Sequence, residues 1–269
     1  MSLDEAARSE QVRKRYLPAL PNFLLTNYVE FRWFVDGQLR DQFALGEAKS
    51  GGTVVPDPAA LSHAEKALKE FLGREPLRIA GAEDLARRLA RLTHLIRDGI
   101  VAAFQTGNAS ELLTGWRAVF AQTLLPELAE EGREAEFADM FAQTLTYGLF
   151  SARALGSTSA RFTLAEAAKL IPRTNPFLRD FFDLITGPKL DDEPFAGFVQ
   201  DVVTLLDCAD LGAIIEDFGK GVGAGRRRDP VVHFYETFLS AYDPRLRELR
   251  GVYYTPEPVV SYIVESIDW

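Results

Sequence analysis

The chain changes its hydrophobic period once. Residues 28–35 alternate, with Val29, Phe31, Trp33 and Val35 on one face, the period-two pattern of a half-buried strand. Asp36-Gly37 follows, a pair suited to the positive φ angles of a type I′ turn. Residues 38–45 then alternate again, with Leu39, Phe43 and Leu45 sharing a face. This predicts a β-hairpin. Two strands alone are marginally stable in water. The hairpin therefore either packs on the rest of the protein or forms the edge of a larger sheet.

From residue 57 the period becomes helical. Asp57 is placed to cap a helix with Pro58 in its first turn. Leu61, Ala64, Leu68 and Phe71 form its apolar stripe, and Gly73 ends it. Leu85, Leu89, Leu92, Ile96, Ile100 and Ala103 make a longer stripe at the spacing of a helix face. Ser110 is a cap for a segment carrying Leu113, Trp116, Phe120 and Leu124, and Phe137, Met140, Phe141, Thr144, Leu145 and Leu149 mark the next. Thr163 and Glu166 have capping-box spacing. Helices are further predicted from Asn175-Pro176, with Phe177, Phe181 and Leu184 inward, over 195–206 and over 211–218. Two more start at Asp229-Pro230, with Val231, Phe234, Tyr235, Phe238 and Tyr242, and at Thr255-Pro256, with Val259, Val260, Ile263 and Ile267. Eight to ten helices with no strand–helix–strand rhythm and no fixed repeat predict a mainly α fold, a multi-helix, bundle-like body behind an N-terminal β-hairpin. The last stripe reaches Trp269 with no capping residue after it, which predicts a chain continuing into a further domain.

Composition narrows the function classes. At 269 residues, 47% apolar and 26% charged, the chain is an ordinary globular sequence. Its single cysteine, Cys208, cannot form an internal disulfide, which fits a cytoplasmic location. No apolar run is long enough to span a membrane, and no metal site is read from three scattered histidines and one thiol. A net charge of −9 argues against a broad phosphate-binding surface. Local strips remain, at Arg13-Lys14-Arg15 and Arg226-Arg227-Arg228.

Several residue groups invite chemistry and have plainer readings. Glu47-Ala48-Lys49 has the Glu-x-Lys spacing of Mg²⁺-dependent nucleases, with Asp36 or Asp41 as a second carboxylate, yet it runs into a Ser-Gly-Gly loop. The glycines of 219–225 resemble a phosphate-cradling loop, but they follow a predicted helix rather than a strand. His233 and Glu236 share a helical face without a second ligand pair, and His63 and His94 have no obvious partner. Cys208 reads as a core thiol. The least bland stretch is Arg250-Gly251-Val252-Tyr253-Tyr254-Thr255-Pro256. It sets a threonine and two tyrosines at a helix start, where free N–H groups favour an anion. An anion site and plain helix capping both fit it.

Gly251, Tyr253, Tyr254, Thr255, Pro256 and Val259 match, position by position, the Gly-x-[Phe/Tyr]-Tyr-Thr-Pro motif of adenine-N6-specific DNA methyltransferases. The resemblance extends upstream to 229–239 and to Tyr242-Asp243-Pro244, to Asn175-Pro176-Phe177-Leu178, and to 20–32. Those stretches resemble large single-chain restriction–modification enzymes, in which a helical spacer joins a nuclease-like domain to a methyltransferase. The resemblance implies a division into residues 1–56, the end of a nuclease-like domain; 57–245, the spacer; and 246–269, the methyltransferase start. It implies S-adenosylmethionine as the cofactor of the parent enzyme, held in part by Gly251, Tyr253, Tyr254, Thr255 and Pro256, and Mg²⁺ only if that parent cleaves DNA. It implies DNA as partner, with Arg226, Arg227 and Arg228 as backbone contacts, beside the nuclease-like and methyltransferase domains of the same chain.

The family's [Asp/Asn]-Pro-Pro-Tyr motif and its glycine-rich catalytic loop do not occur in the sequence. The isolated chain is therefore expected to hold no catalytic residue and to be inactive. Gln11 and Tyr16 echo a nuclease Gln…Tyr motif whose spacing is a weak signal. The alternatives are a free-standing helical interaction module and a Mg²⁺-dependent nuclease using Glu47 and Lys49.

Overall fold

A computed structural model describes residues 3–48, 54–74, 79, 81–156, 161–171, 176–219 and 230–245, with 259, 262, 263, 266 and 267 near the C-terminus. The fold is mainly α with a small antiparallel sheet near the N-terminus. Two compact units divide it, Met1–Leu77 and Arg78–Trp269.

The first unit opens with α1 (Leu3–Arg8), a π-helical turn (Gln11–Tyr16) and α2 (Leu17–Ala19). It continues through β1 (Asn22–Thr26), β2 (Glu30–Val35), β3 (Gln38–Ala44), β4 (Gly46–Ala48) and β5 (Val54–Pro56) to α3 (Pro58–Leu72). The expected hairpin is β2–β3, turned by Asp36 at φ 48° and Gly37 at φ 78°. It does not stand alone, because β1 adds a third antiparallel strand that the alternation of 28–45 does not include.

The three-stranded sheet is covered on both sides, which is why the neighbours Trp33 and Phe34 are both buried. On one face Leu24, Phe31 and Phe43 pack with Ala64, Ala67 and Leu68 of α3. On that face too, Trp33 donates from Nε1 to Asn22 Oδ1 at 2.7 Å, and the Asn22 amide donates to the Phe71 carbonyl at 3.0 Å. On the other face Phe23 lies between the rings of Tyr16 and Phe34.

One expectation fails here. The alternation puts Leu39 on the face of Phe43, but Leu39 is 52% exposed. The register slips between Trp33, opposite Asp41, and Phe34, opposite Leu39, leaving Arg40 as the extra residue of a β-bulge. A one-residue insertion moves everything beyond it to the opposite face, so Leu39 joins the face of Phe34. Where β4 and β5 pair antiparallel, a Cβ on Gly46 would lie 2.1 Å from the Val55 carbonyl oxygen, so only glycine fits.

The cap of α3 forms as expected, with the Asp57 carboxylate accepting from the Ala59 N–H at 3.0 Å. Its buried line runs through Ala64 and Ala67, and Leu61 is exposed. Two alanines facing the sheet let the helix come close, and that rotates Leu61 outward.

The second unit comprises α4 (Ala82–Gln105), α5 (Glu111–Thr123), a 3₁₀ turn (Pro126–Ala129), α6 (Glu134–Leu155), α7 (Leu164–Leu170), α8 (Pro176–Ile185), a 3₁₀ turn (Pro188–Leu190), α9 (Ala196–Cys208), α10 (Leu211–Gly219) and α11 (Pro230–Tyr242). Helix α4 is its axis and packs on α6, α9 and α11. All six positions of its expected stripe are buried. Thr93 bonds back to the Leu89 carbonyl and across to Thr146 of α6, so this buried polar pair is satisfied.

Beside this axis, Trp116, Phe120, Phe137, Phe141, Phe177, Phe181 and Phe195 form an edge-to-face cluster, the geometry that ring quadrupoles favour. Gly148 lets α8 seat against α6, because a Cβ there would lie 2.6 Å from the Phe182 ring. Ser110 and Thr163 cap their helices by accepting from Leu113 and Glu166 N–H groups. Leu124 departs from its expected place. It sits just past the end of α5 and is 46% exposed, because the helix stops before that turn completes.

Candidate functional site

Gly251, Tyr253, Tyr254, Thr255 and Pro256 lie outside the described residues, as do Arg226, Arg227, Arg228 and Lys49. Two helices flank the arginine run in sequence, α10 ending at Gly219 and α11 beginning at Pro230. The described geometry bears on how the chain is held just before the 251–256 motif, at the seam of α4 and α11.

That seam is built from residues distant in sequence. Phe234 stacks on Phe150 at 3.8 Å between ring centres, and Phe234, Phe238 and Tyr242 of the stripe read from 229–242 are buried, while Tyr235 is half-buried and the Val231 side chain lies outside the described residues. At the end of α11 the Tyr242 ring stacks on His94 of α4 at 4.2 Å. The His94 Nε2 lies 3.0 Å from the Tyr242 carbonyl oxygen, one of the carbonyls a helix end leaves unpaired. The Tyr242 hydroxyl donates to Asp139 of α6 at 2.5 Å, and Arg97 approaches the same carboxylate at 3.9 Å. Burial, and then the hydrogen bond to the Asp139 carboxylate, push the Tyr242 phenol well above its ordinary value.

The sequence offers His94 no partner, and no local signal could, since Tyr242 is 148 residues away. Asp139 is likewise missed by sequence reasoning, being one acidic residue on an amphipathic helix. Its place on a helix face that also carries inward side chains is the signal that could have found it.

Nearer the start of the two helices, Glu83 and Arg87 of α4 and His233, Glu236, Thr237, Ser240 and Ala241 of α11 line an open groove of about 370 Å³. His233 Nδ1 stands 3.7 Å from Glu236 Oε2, so the expected shared face exists. Among the described residues no three acidic, histidine or cysteine side chains are grouped to hold a metal ion. The groove thus offers both signs of charge and two hydroxyls to solvent.

The nuclease candidates are dispersed. Glu47 lies on β4 opposite Val55. Asp36 occupies the hairpin turn, and Asp41 lies 3.0 Å from His63 Nε2 of α3. Gln11 Nε2 donates to the Tyr16 hydroxyl at 2.7 Å, so these two do meet, across the π-helical turn. Cys208 ends α9, and burial, with the neighbouring Asp207 charge, pushes its thiol up, away from nucleophilic thiolate. Among the described residues no helix is long and apolar enough to cross a membrane. No known protein family, curated protein or solved structure matches the chain.

Proposed function

We propose that this chain is the helical connector of a site-specific adenine-N6 DNA methyltransferase of the restriction–modification kind, working in the cytoplasm. Gly251, Tyr253, Tyr254, Thr255 and Pro256 begin its S-adenosylmethionine site. Arg226, Arg227 and Arg228 meet the DNA backbone. The residues before α3 close a nuclease-like domain, and Mg²⁺ enters only if that domain cleaves.

The observation that supports this reading is the anchoring of Tyr242. A stacked ring, a phenol hydrogen bond and a carbonyl contact tie the end of α11 to α4 and α6. A cofactor motif beginning nine residues later would then enter from a fixed point. Fixed entry is what a connector supplies, because misplacing a reacting group by about 1 Å can cost about 100-fold in rate.

The reading is tested on the reading frame beyond the codon for Trp269. It requires a glycine-rich strand–loop followed by [Asp/Asn]-Pro-Pro-Tyr. It also requires methyl transfer from labelled S-adenosylmethionine to duplex DNA by the protein so encoded, weakened by Tyr254→Ala and absent from the 269-residue chain. A frame without those motifs overturns it.

A second reading, a helical interaction module, is favoured by the exposure of Val259, Tyr262, Ile263 and Ile267. Their spacing puts them on one helical stripe, which on this reading meets a partner protein.

A further inference from the structure

We infer that the π-helical turn at Gln11–Tyr16 is a second contact for the phosphodiester backbone of duplex DNA, made through Arg13, Lys14 and Arg15. This rests on the DNA reading above and adds to it a site in the other compact unit. The three cations are consecutive and all exposed. In an α-helix three consecutive side chains fan through about 200°. A π-turn, closing its hydrogen bonds at i→i+5, fits more residues into each turn and narrows that fan a little, so the three charges spread over the half of the turn opposite the buried Val12.

The turn is held in place from within. Val12 is buried, the Tyr16 ring packs 5.9 Å from Phe23 of β1, and Gln11 bonds the Tyr16 hydroxyl across the five-residue span. A backbone already ordered spares that part of the cost of meeting phosphates, and only side-chain freedom remains to be lost.

Residues 1–77 hold 10 basic and 11 acidic side chains, against 20 and 28 in 78–269, so the acidity of the protein lies mostly in the other unit. Within the first unit Asp4 is engaged by Arg32, whose hydrogen bond holds that carboxyl below its ordinary value. Glu10 is four residues from Lys14 and pairs with it in the open. Both of these side chains are exposed, and such a pair is worth little in water, so a phosphate can replace Glu10. The residues between Arg8 and Lys14 that reach solvent are polar, which suits a phosphate backbone.

The test is fluorescence anisotropy of labelled duplex DNA with the full 269-residue chain over a range of salt. The triple variant Arg13→Ala, Lys14→Ala, Arg15→Ala should bind more weakly. Its plot of log K against log salt should be shallower by about 0.9 for each phosphate it no longer neutralises. Arg13→Lys with Arg15→Lys should keep the wild-type slope, and circular dichroism should show every variant folded. If only Arg226→Ala, Arg227→Ala, Arg228→Ala weakens binding, the site at 11–16 is overturned while the DNA reading stands. If the wild-type chain shows no salt-dependent binding, or prefers anionic vesicles to DNA, both fall.

Discussion

In the first unit Trp33 and Phe34, neighbours in one strand, are both buried because helices cover both faces of a three-stranded sheet. In the second, Leu85, Leu89, Ile96 and Ile100 lie along one face of α4 and are fully buried because α6, α9 and α11 close around that helix. The sheet unit is thin. Among its described aromatic residues only Trp33 is nearly inaccessible. The helical unit is deep, with seven aromatic rings in mutual contact around Phe120 and Phe141. Depth concentrates stability in a few residues, whereas a thin sandwich depends on register and on polar ties such as Trp33 to Asn22 and Asn22 to Phe71.

The contrast is sharpest at Phe120. Phe120→Ala removes a ring that touches several others, and it should cost about 3–5 kcal/mol, because the neighbouring rings cannot collapse into the space. Thermal melting followed by circular dichroism measures the loss. Hydrogen exchange should show it confined to 81–245, with protection of β2 and β3 unchanged. Simultaneous loss in the sheet would break the separation of the units.

A pair of cap variants compares the units at smaller scale. Ser110→Ala should cost about 2–4 kcal/mol. It removes the cap of α5 and takes the hydroxyl partner from Glu193, a buried carboxyl that accepts from Ser110 at 2.5 Å. Asp57→Ala loses an exposed cap of α3 and should cost about 1 kcal/mol. Chemical denaturation of the two variants gives the difference. Equal costs would show that Glu193 finds its stabilisation elsewhere.

The smallest effect is alkaline. Tyr242 holds its proton more tightly folded than unfolded. Its contribution is therefore complete below about pH 10, the unfolded value, and is lost as pH rises from there through the raised folded value. Ultraviolet tyrosinate absorbance should show a late step that Tyr242→Phe removes. Loss of the step without Tyr242→Phe, for instance in Asp139→Asn, would assign the shift to the charge rather than to burial.

Much of this was legible in the residues. The Asp36-Gly37 turn, the caps at Asp57, Ser110 and Thr163, and the stripe of α4 are local matters, set by backbone angles and by a period repeated within a few turns. Leu39, Leu61 and Leu124 depart from the pattern because a bulge, a close helix approach and a helix stop each depend on what packs opposite. The candidate site divides the same way. The pairing of His233 with Glu236 follows from helix spacing, while His94 and Asp139 meet Tyr242 only because α4, α6 and α11 converge.

By itself, then, the sequence determined the β2–β3 hairpin and its turn, the main helices from residue 57 onward, their caps and most of their inward faces, because each is decided by residues a few positions apart. The tertiary structure alone decided that β1 completes the sheet, that both sheet faces are covered, which polar groups meet at Tyr242, and how the π-turn sits against Phe23. Those depend on contacts between segments well separated along the chain, whose geometry is fixed only when burial of the apolar faces brings the elements together.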